Sequence, residues 1–194
     1  MRAMSRLEDA LLAMAQFLER HHVPYMVVGG VANVVWGIPR TTLDVDITIQ
    51  VAEEDVEKLI HSLAQVFRAR ISDPVSFVKQ TRVLPLVTKD GVQVDLIFSQ
   101  LPYEEEAIRR AALQRFQGTD IRVCQPEDLI IYKLVSERPK DREDVRGIIQ
   151  QQAARLDRAY LDPKVIALAR ELERSEIALW YEQCWREAGN SGLV

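Results

Sequence analysis

Two aspartates two residues apart open the run Asp44-Val45-Asp46-Ile47-Thr48-Ile49. On an extended strand, side chains at i and i+2 leave the same face, so both carboxyls share one side of a sheet. Aspartate is a poor strand former and adjacent like charges repel, so a solvated face would more naturally carry Thr, Lys or Glu. Hard oxygens held a few ångströms apart suit a divalent cation. An exposed polar face on a half-buried sheet is the competing reading. Asp95, in Gln93-Val94-Asp95-Leu96-Ile97-Phe98, adds a third carboxylate if its strand neighbours the first. Three carboxylates can hold two Mg2+ ions, which clamp the attacking and leaving oxygens of an in-line phosphoryl displacement. Upstream, Gly29-Gly30 ends one strand and opens a helix. Backbone N–H groups at a helix start, with no Cβ in the way, can receive a triphosphate. A tight turn is the more ordinary explanation of an isolated Gly-Gly pair. No third glycine completes a Rossmann fingerprint, and no Gly-Lys-Ser/Thr makes a Walker loop.

Other residues support this group with alternatives open. Arg40 follows a proline turn and precedes the Asp44 strand, where it can neutralise a triphosphate or hold the loop by pairing with Asp44. Thr42 can bond Asp44 or a loop backbone group. Lys133 lies on a helix with apolar positions Leu129, Ile130 and Leu134, and can reach a buried phosphate or snorkel to solvent. Asp141 can cap the next helix and Asp144 completes its acidic first turn. Trp36 stacks on a base or fills the core, with the core the better reading. Trp180, Tyr181 and Trp185 fit core or dimer packing at helical spacing.

Gly29-Gly30, Asp44-Val45-Asp46 and a later-strand Asp95 together resemble the DNA polymerase beta superfamily of nucleotidyltransferases. The form Arg40-Thr41-Thr42-Leu43-Asp44-Val45-Asp46 looks most like the AbiEii-type and related minimal nucleotidyltransferases. Aminoglycoside and lincosamide nucleotidyltransferases carry a similar arrangement. The core resemblance spans about residues 23–98. A second block, Cys124 to Lys133 followed by Arg138-Pro139-Lys140-Asp141-Arg142-Glu143-Asp144, is similar to the helices that follow the core in AbiEii-like proteins. One departure is Gly30, where many superfamily members carry Ser. The resemblance implies transfer of a nucleoside monophosphate from an NTP to an acceptor hydroxyl, with Mg2+ or Mn2+ as cofactor. Asp44, Asp46 and Asp95 would be metal ligands, with Asp95 also helping to deprotonate the acceptor. Gly29, Gly30, Arg40, Thr42 and Lys133 would meet the nucleotide. A toxin-like or stress-related role in a prokaryotic cytoplasm follows, with a tRNA end or a partner protein as acceptor and a possible cognate antitoxin. Modification of an antibiotic is the runner-up, and a non-catalytic NTP-binding or antitoxin module the third reading.

The elements that position these residues are also readable. The chain has 194 residues, 47% hydrophobic and 28% charged, with a net charge of −4. That is ordinary for a globular protein and argues against wholesale coating of duplex nucleic acid. A local patch for an RNA end is not excluded; Arg109, Arg110, Arg115, Lys140 and Arg142 are candidates, against a reading as solvated helix faces. Cys124 and Cys184 stand far apart and fit a reducing cytosol. His21, His22 and His61 have no metal-ligand spacing. No apolar run is long enough to span a bilayer, and the first residues have no signal-peptide layout, so no membrane partner is expected.

The expected fold class is α/β (α+β): a nucleotidyltransferase core with a mixed sheet flanked by helices, residues 1–125, then a helical C-terminal region, 126–194, packed on it. Ser5 is expected to cap a helix to Arg20. Strands are expected at 25–28, 44–51, 83–88 and 92–98, the last two a hairpin about Lys89-Asp90-Gly91, with Pro85 marking an edge strand. A short strand is placed at 121–124. Helices are expected at 31–36, 53–67 and 103–115, and then near 127–137, 141–153, 163–173 and 176–187. Asp162-Pro163 reads as a helix start, and Gly189-Asn190-Ser191-Gly192 as a frayed tail.

Overall fold

The computed structural model describes residues 6–136 and 138–190. Its described residues form two compact units. One comprises the described residues up to Val31 with Thr41–Cys124; the other joins Ala32–Arg40 to the described residues from Gln125 onward.

The first unit is built on a mixed seven-stranded sheet flanked by helices. In chain order its strands are β1 (Tyr25–Val28), β2 (Asp44–Ile49), β3 (Arg68–Ala69), β4 (Val83–Val87), β5 (Gln93–Phe98), β6 (Ala112–Phe116) and β7 (Thr119–Val123). They lie side by side as β3-β4-β5-β2-β1-β7-β6. The pairs β2–β5 and β1–β7 are parallel and the others antiparallel. Central β1 is buried along its whole length, whereas β2 and β5 alternate. Val45, Ile47, Ile49, Val94, Leu96 and Phe98 fill the core, and Asp44, Asp46 and Asp95 remain half-exposed. Thr48, on the face of the two aspartates by the alternation of β2, is fully buried. Helix α1 (Arg6–Arg20) buries Leu11, Met14, Phe17 and Leu18, the stripe its periodicity marks. Its expected Ser5 cap lies outside the described residues.

The 83–98 hairpin forms as expected, with Gly91 at φ +84° in its turn. Pro85 does not mark an edge, because two-residue β3 pairs outside β4. The Pro85 carbonyl accepts from the Arg70 N–H at 2.9 Å, so the missing proline N–H faces that short neighbour rather than the β5 ladder. The expected 53–67 helix is a 3-10 turn, Glu53–Asp55, then α3 (Val56–Leu63). Gln65 and Val66 then donate to carbonyls three residues back, a tighter winding that leads the chain toward β3. Helix α4 (Pro74–Thr81), unexpected, is capped by Asp73, whose carboxylate accepts from Ser76 N–H. Helix α5 (Pro102–Arg110) ends before the expected 115, and the chain enters the β6–β7 hairpin. Gln117 and Gly118, both at positive φ, make that turn, and the glycine there is its local sequence signal.

In the second unit, α6 (Pro126–Val135), α7 (Pro139–Gln152), α8 (Arg158–Glu171) and α9 (Ser175–Asn190) make a helical assembly. Helix α8 starts earlier than Asp162-Pro163 suggests. Asp157 caps it by accepting from Tyr160 N–H at 3.1 Å, and Pro163 falls inside the helix. Asp162 instead accepts from the buried Tyr181 hydroxyl at 2.6 Å, joining α8 to α9. Tyr181 packs edge-on against Trp185. Gly189 and Asn190, expected in a frayed tail, close α9; Ser191 and Gly192 lie outside the described residues. Among the described residues no helix is long and apolar enough to cross a membrane.

Candidate active site

The site in the first unit begins where β1 runs directly into α2 (Gly29–Trp36), two residues before the helix start at 31 that the sequence suggests. Gly29 sits at φ +63°, a left-handed conformation that side chains resist. A Cβ built on Gly29 would lie 1.9 Å from Asp46 Oδ2, and one on Gly30 would lie 2.3 Å from Thr42 Oγ1. The two glycines therefore admit Asp46 and Thr42 against the start of the helix. The Thr42 hydroxyl donates to Asp44, lying 2.9 Å from Oδ1 and 3.4 Å from the Asp44 backbone carbonyl, and so ties that carboxylate to the preceding loop.

The parallel β2–β5 pair sets the third acid. Asp46 is registered with Asp95 and Asp44 with Gln93. Registered neighbours on a parallel pair project to the same face. Asp44, Asp46 and Asp95 thus share one face, as the alternation implied. Asp95 also has a partner that sequence reasoning missed. Arg70, just past β3, donates to Asp95 Oδ1 at 2.5 Å and to Gln93 Oε1 at 2.9 Å. Nothing local to Arg68-Ala69-Arg70 signals this, because the pairing depends on a two-residue strand finding β4.

Among the described residues, no three His, Cys, Asp or Glu side chains form a ready metal cage. The donor chemistry nevertheless fits a hard divalent ion at Asp44 and Asp46, two half-exposed carboxylates on one strand face. Asp95 stands beside them with its charge balanced by Arg70.

Arg40 and Lys133 lie in the second unit. Arg40 is bidentate on Asp144, with Nε and Nη2 each 2.8 Å from a carboxylate oxygen; its partner is Asp144, not Asp44. Lys133 Nζ donates to Asp144 Oδ2 at 2.6 Å and to Asp141 Oδ1 at 3.1 Å. Arg138 Nε also donates to Asp141 at 2.6 Å. Lys133, Asp141 and Asp144 are all at least 95% buried. Burial pushes both aspartate pKa values up. Hydrogen bonds and charge from Ser136, Lys133 and Arg138 at Asp141, and from Arg40 and Lys133 at Asp144, more than reverse it, so both carboxyls stay below the ordinary range. Neither acid caps α7, whose N-cap position is Arg138. Three-residue spacing on a helix gives both one face, the signal that could have matched them to Lys133.

Asn33 on α2 is fully buried and donates to the Ile38 carbonyl at 3.1 Å, while Gln152 donates to the Trp36 carbonyl at 2.9 Å. A Cβ on Gly147 would lie 3.2 Å from Ile38 Cγ1, so this glycine lets α7 pack close to the loop. The segment 33–40 is therefore held at several points within its own unit.

A glycine-opened helix beside a strand with paired aspartates, in a mixed α/β sheet, is the framework of a nucleotidyltransferase. Residues 7–183 match the family described as a nucleotidyl transferase of unknown function (DUF2204), and the chain belongs to it. An antigenic nucleotidyltransferase-like protein from Paracoccidioides brasiliensis is similar in structure, at 18% identity and a TM-score of 0.55, over 91% of this chain and 92% of that one. A lincosamide antibiotic adenylyltransferase with lincomycin bound is similar at 13% identity and a TM-score of 0.53, over 75% of this chain and 96% of that one. The antibiotic-resistance factor ANT(2'')-Ia is similar at 16% identity and a TM-score of 0.55, over 93% of this chain and 98% of that one. No curated protein matches. The protein is a nucleotidyltransferase by family and fold.

Proposed function

We propose that the protein transfers a nucleoside monophosphate from an NTP to an acceptor hydroxyl and releases pyrophosphate, with Mg2+ or Mn2+ as cofactor. The observation that carries this reading is the register of Asp46 with Asp95 beside Gly29, whose missing Cβ admits the Asp46 carboxylate. Asp44 and Asp46 would hold the divalent cation, and Thr42 orients Asp44 for that task. A bound cation supplies charge stabilisation for the α-phosphate and the leaving pyrophosphate. Gly29 and Gly30 place backbone N–H groups at the start of α2, where the helix dipole favours phosphate oxygens. Asp95 accepts the proton of the attacking hydroxyl, whose oxygen bonds to the α-phosphorus as the bond to pyrophosphate breaks. The resemblance also assigns Arg40 and Lys133 to the nucleotide. Within their own unit Lys133 holds Asp144 and Asp144 holds Arg40.

The resemblance to AbiEii-type proteins favours a tRNA end or a partner protein as acceptor, a toxin-antitoxin-like role with a cognate antitoxin, and a cytoplasmic location. A second reading, a small antibiotic acceptor, is favoured by the structural likeness to a lincosamide adenylyltransferase and to an antibiotic-resistance factor. Incubating the protein and MgCl2 with each α-labelled NTP, in turn with total RNA, cell protein, an aminoglycoside and lincomycin, separates these. Label in an RNA or protein band supports the first reading and label on a drug the second. NTP binding with no transfer in any pool would instead indicate a non-catalytic module.

A further inference from the structure

Arg70 is the feature of the carboxylate face that the proposed reaction leaves unexplained. Its backbone N–H is held by the Pro85 carbonyl at 2.9 Å, so the side chain leaves from a point tied to the sheet. Its guanidinium then bridges two same-face residues of β5, Gln93 at 2.9 Å and Asp95 at 2.5 Å. Arg70 and Asp95 are each about one-third exposed, at 32% and 30%, so solvent and solutes reach the pair. A planar guanidinium engaging a carboxylate puts a positive charge beside an oxygen that would otherwise be open to a cation.

We infer that Arg70 is the resident counter-ion of Asp95, and that a divalent cation gains this carboxylate only when a nucleotide triphosphate arrives with it. The inference rests on the proposed metal-dependent reaction. Free metal approaching the carboxylate face meets a third carboxylate that is already neutralised, and it is repelled by the guanidinium. A triphosphate changes that balance because its oxygens offer the guanidinium a bidentate partner as good as a carboxylate. When the guanidinium turns to phosphate, Asp95 becomes available to the cation and to the acceptor hydroxyl. Metal and nucleotide binding are thereby coupled, and coupling of this kind is reciprocal. The enzyme without nucleotide holds its metal site in a weakened state.

The test is Mn2+ binding, followed by electron paramagnetic resonance of free Mn2+ and by calorimetry, with and without a non-hydrolysable NTP analogue. Without nucleotide, Arg70→Gln is expected to bind Mn2+ at least ~10-fold more tightly than wild type, the scale of removing one nearby like charge at a partly exposed site. With the analogue the gap is expected to narrow, because wild type gains more from nucleotide than the variant does. Gln93→Ala, at an exposed residue, removes one anchor of the guanidinium and should shift affinity in the same direction by less. It decides the matter if Arg70→Gln does not fold. Asp46→Asn separates the counter-ion role of Arg70 from the metal-dependent reaction itself. If it abolishes Mn2+ binding while the Arg70 and Gln93 variants match wild type, the counter-ion role is overturned and the metal-dependent reading stands. If no variant and no wild-type sample binds Mn2+ even with the analogue, both are overturned.

Discussion

Gly29 and Asp46 are in such close approach that a single added carbon on the glycine would fall 1.9 Å from the Asp46 carboxylate oxygen. The contact joins the start of α2 to the middle of β2 and makes the glycine a condition of the carboxylate's position. Gly29→Ala therefore carries two penalties, the left-handed backbone at ~1–2 kcal/mol and the collision with Asp46. We expect a loss of at least ~2 kcal/mol in urea unfolding, with Asp46 displaced. Gly91→Ala is the control: its φ is also positive, at +84°, but no atom lies within 4 Å of the added carbon. It should lose only ~1 kcal/mol. Equal losses in the two variants would show that the contact with Asp46 has no weight.

The ion cluster in the second unit predicts a large stability effect and a definite pH dependence. Removing Lys133 leaves Asp141 without one buried cation partner and reduces Asp144 to its bond with Arg40. Breaking a buried pair from one side costs ~3–5 kcal/mol, so Lys133→Ala should fall in that range. Folding holds both carboxyl pKa values below their ordinary range. Their contribution is therefore complete above the unfolded-state pKa of about 4 and is lost as pH falls through the lower native-state values. Urea unfolding from pH 7 down to pH 2 should show this acid limb in wild type. Asp141→Asn and Asp144→Asn should each flatten it. An unchanged limb in both would contradict the depressed pKa values.

Much of the carboxylate site was legible because its logic is local or periodic. Asp44 and Asp46 declare a shared face by their spacing, and Val94, Leu96 and Phe98 declare the opposite face of Asp95's strand. What the sequence does not show is which strands become neighbours. Arg70 meets Asp95 only because β3 pairs with β4 and β4 with β5, a non-local result. The same cause hid the interior place of Pro85. Helix ends depart from the local signal where that signal has a tertiary competitor. Asp162-Pro163 has the form of a helix start, but Asp162 is engaged by Tyr181 and Arg158, and Asp157 is the cap. The expected 103–115 helix stops at Arg110 because the chain turns at Gln117-Gly118 into the β6–β7 hairpin.

Ligand linkage follows from the proposed cation site. Mg2+ or Mn2+ with NTP should raise the melting temperature, and ligand at ~100 times its dissociation constant should add about 2.7 kcal/mol. Asp44→Asn should remove most of that gain, since Thr42 orients this carboxylate for the cation. Differential scanning fluorimetry with metal alone, NTP alone and both gives the comparison. The same shift in wild type and Asp44→Asn would place the ligand elsewhere.

The central claim is that Asp46 acts in the transfer step, and steady-state kinetics of Asp46→Ala tests it most directly. The acceptor is the one identified by label transfer, and folding of each variant is checked first by circular dichroism. A carboxylate that holds a cation at the reacting phosphate stabilises charge that develops in the transition state, so its loss should appear in kcat more than in NTP affinity. We predict a fall in kcat of at least ~10³-fold, about 4 kcal/mol of barrier. Lys133→Ala, measured alongside in its folded fraction, should fall less. Wild-type kcat in a folded Asp46→Ala protein would contradict the account.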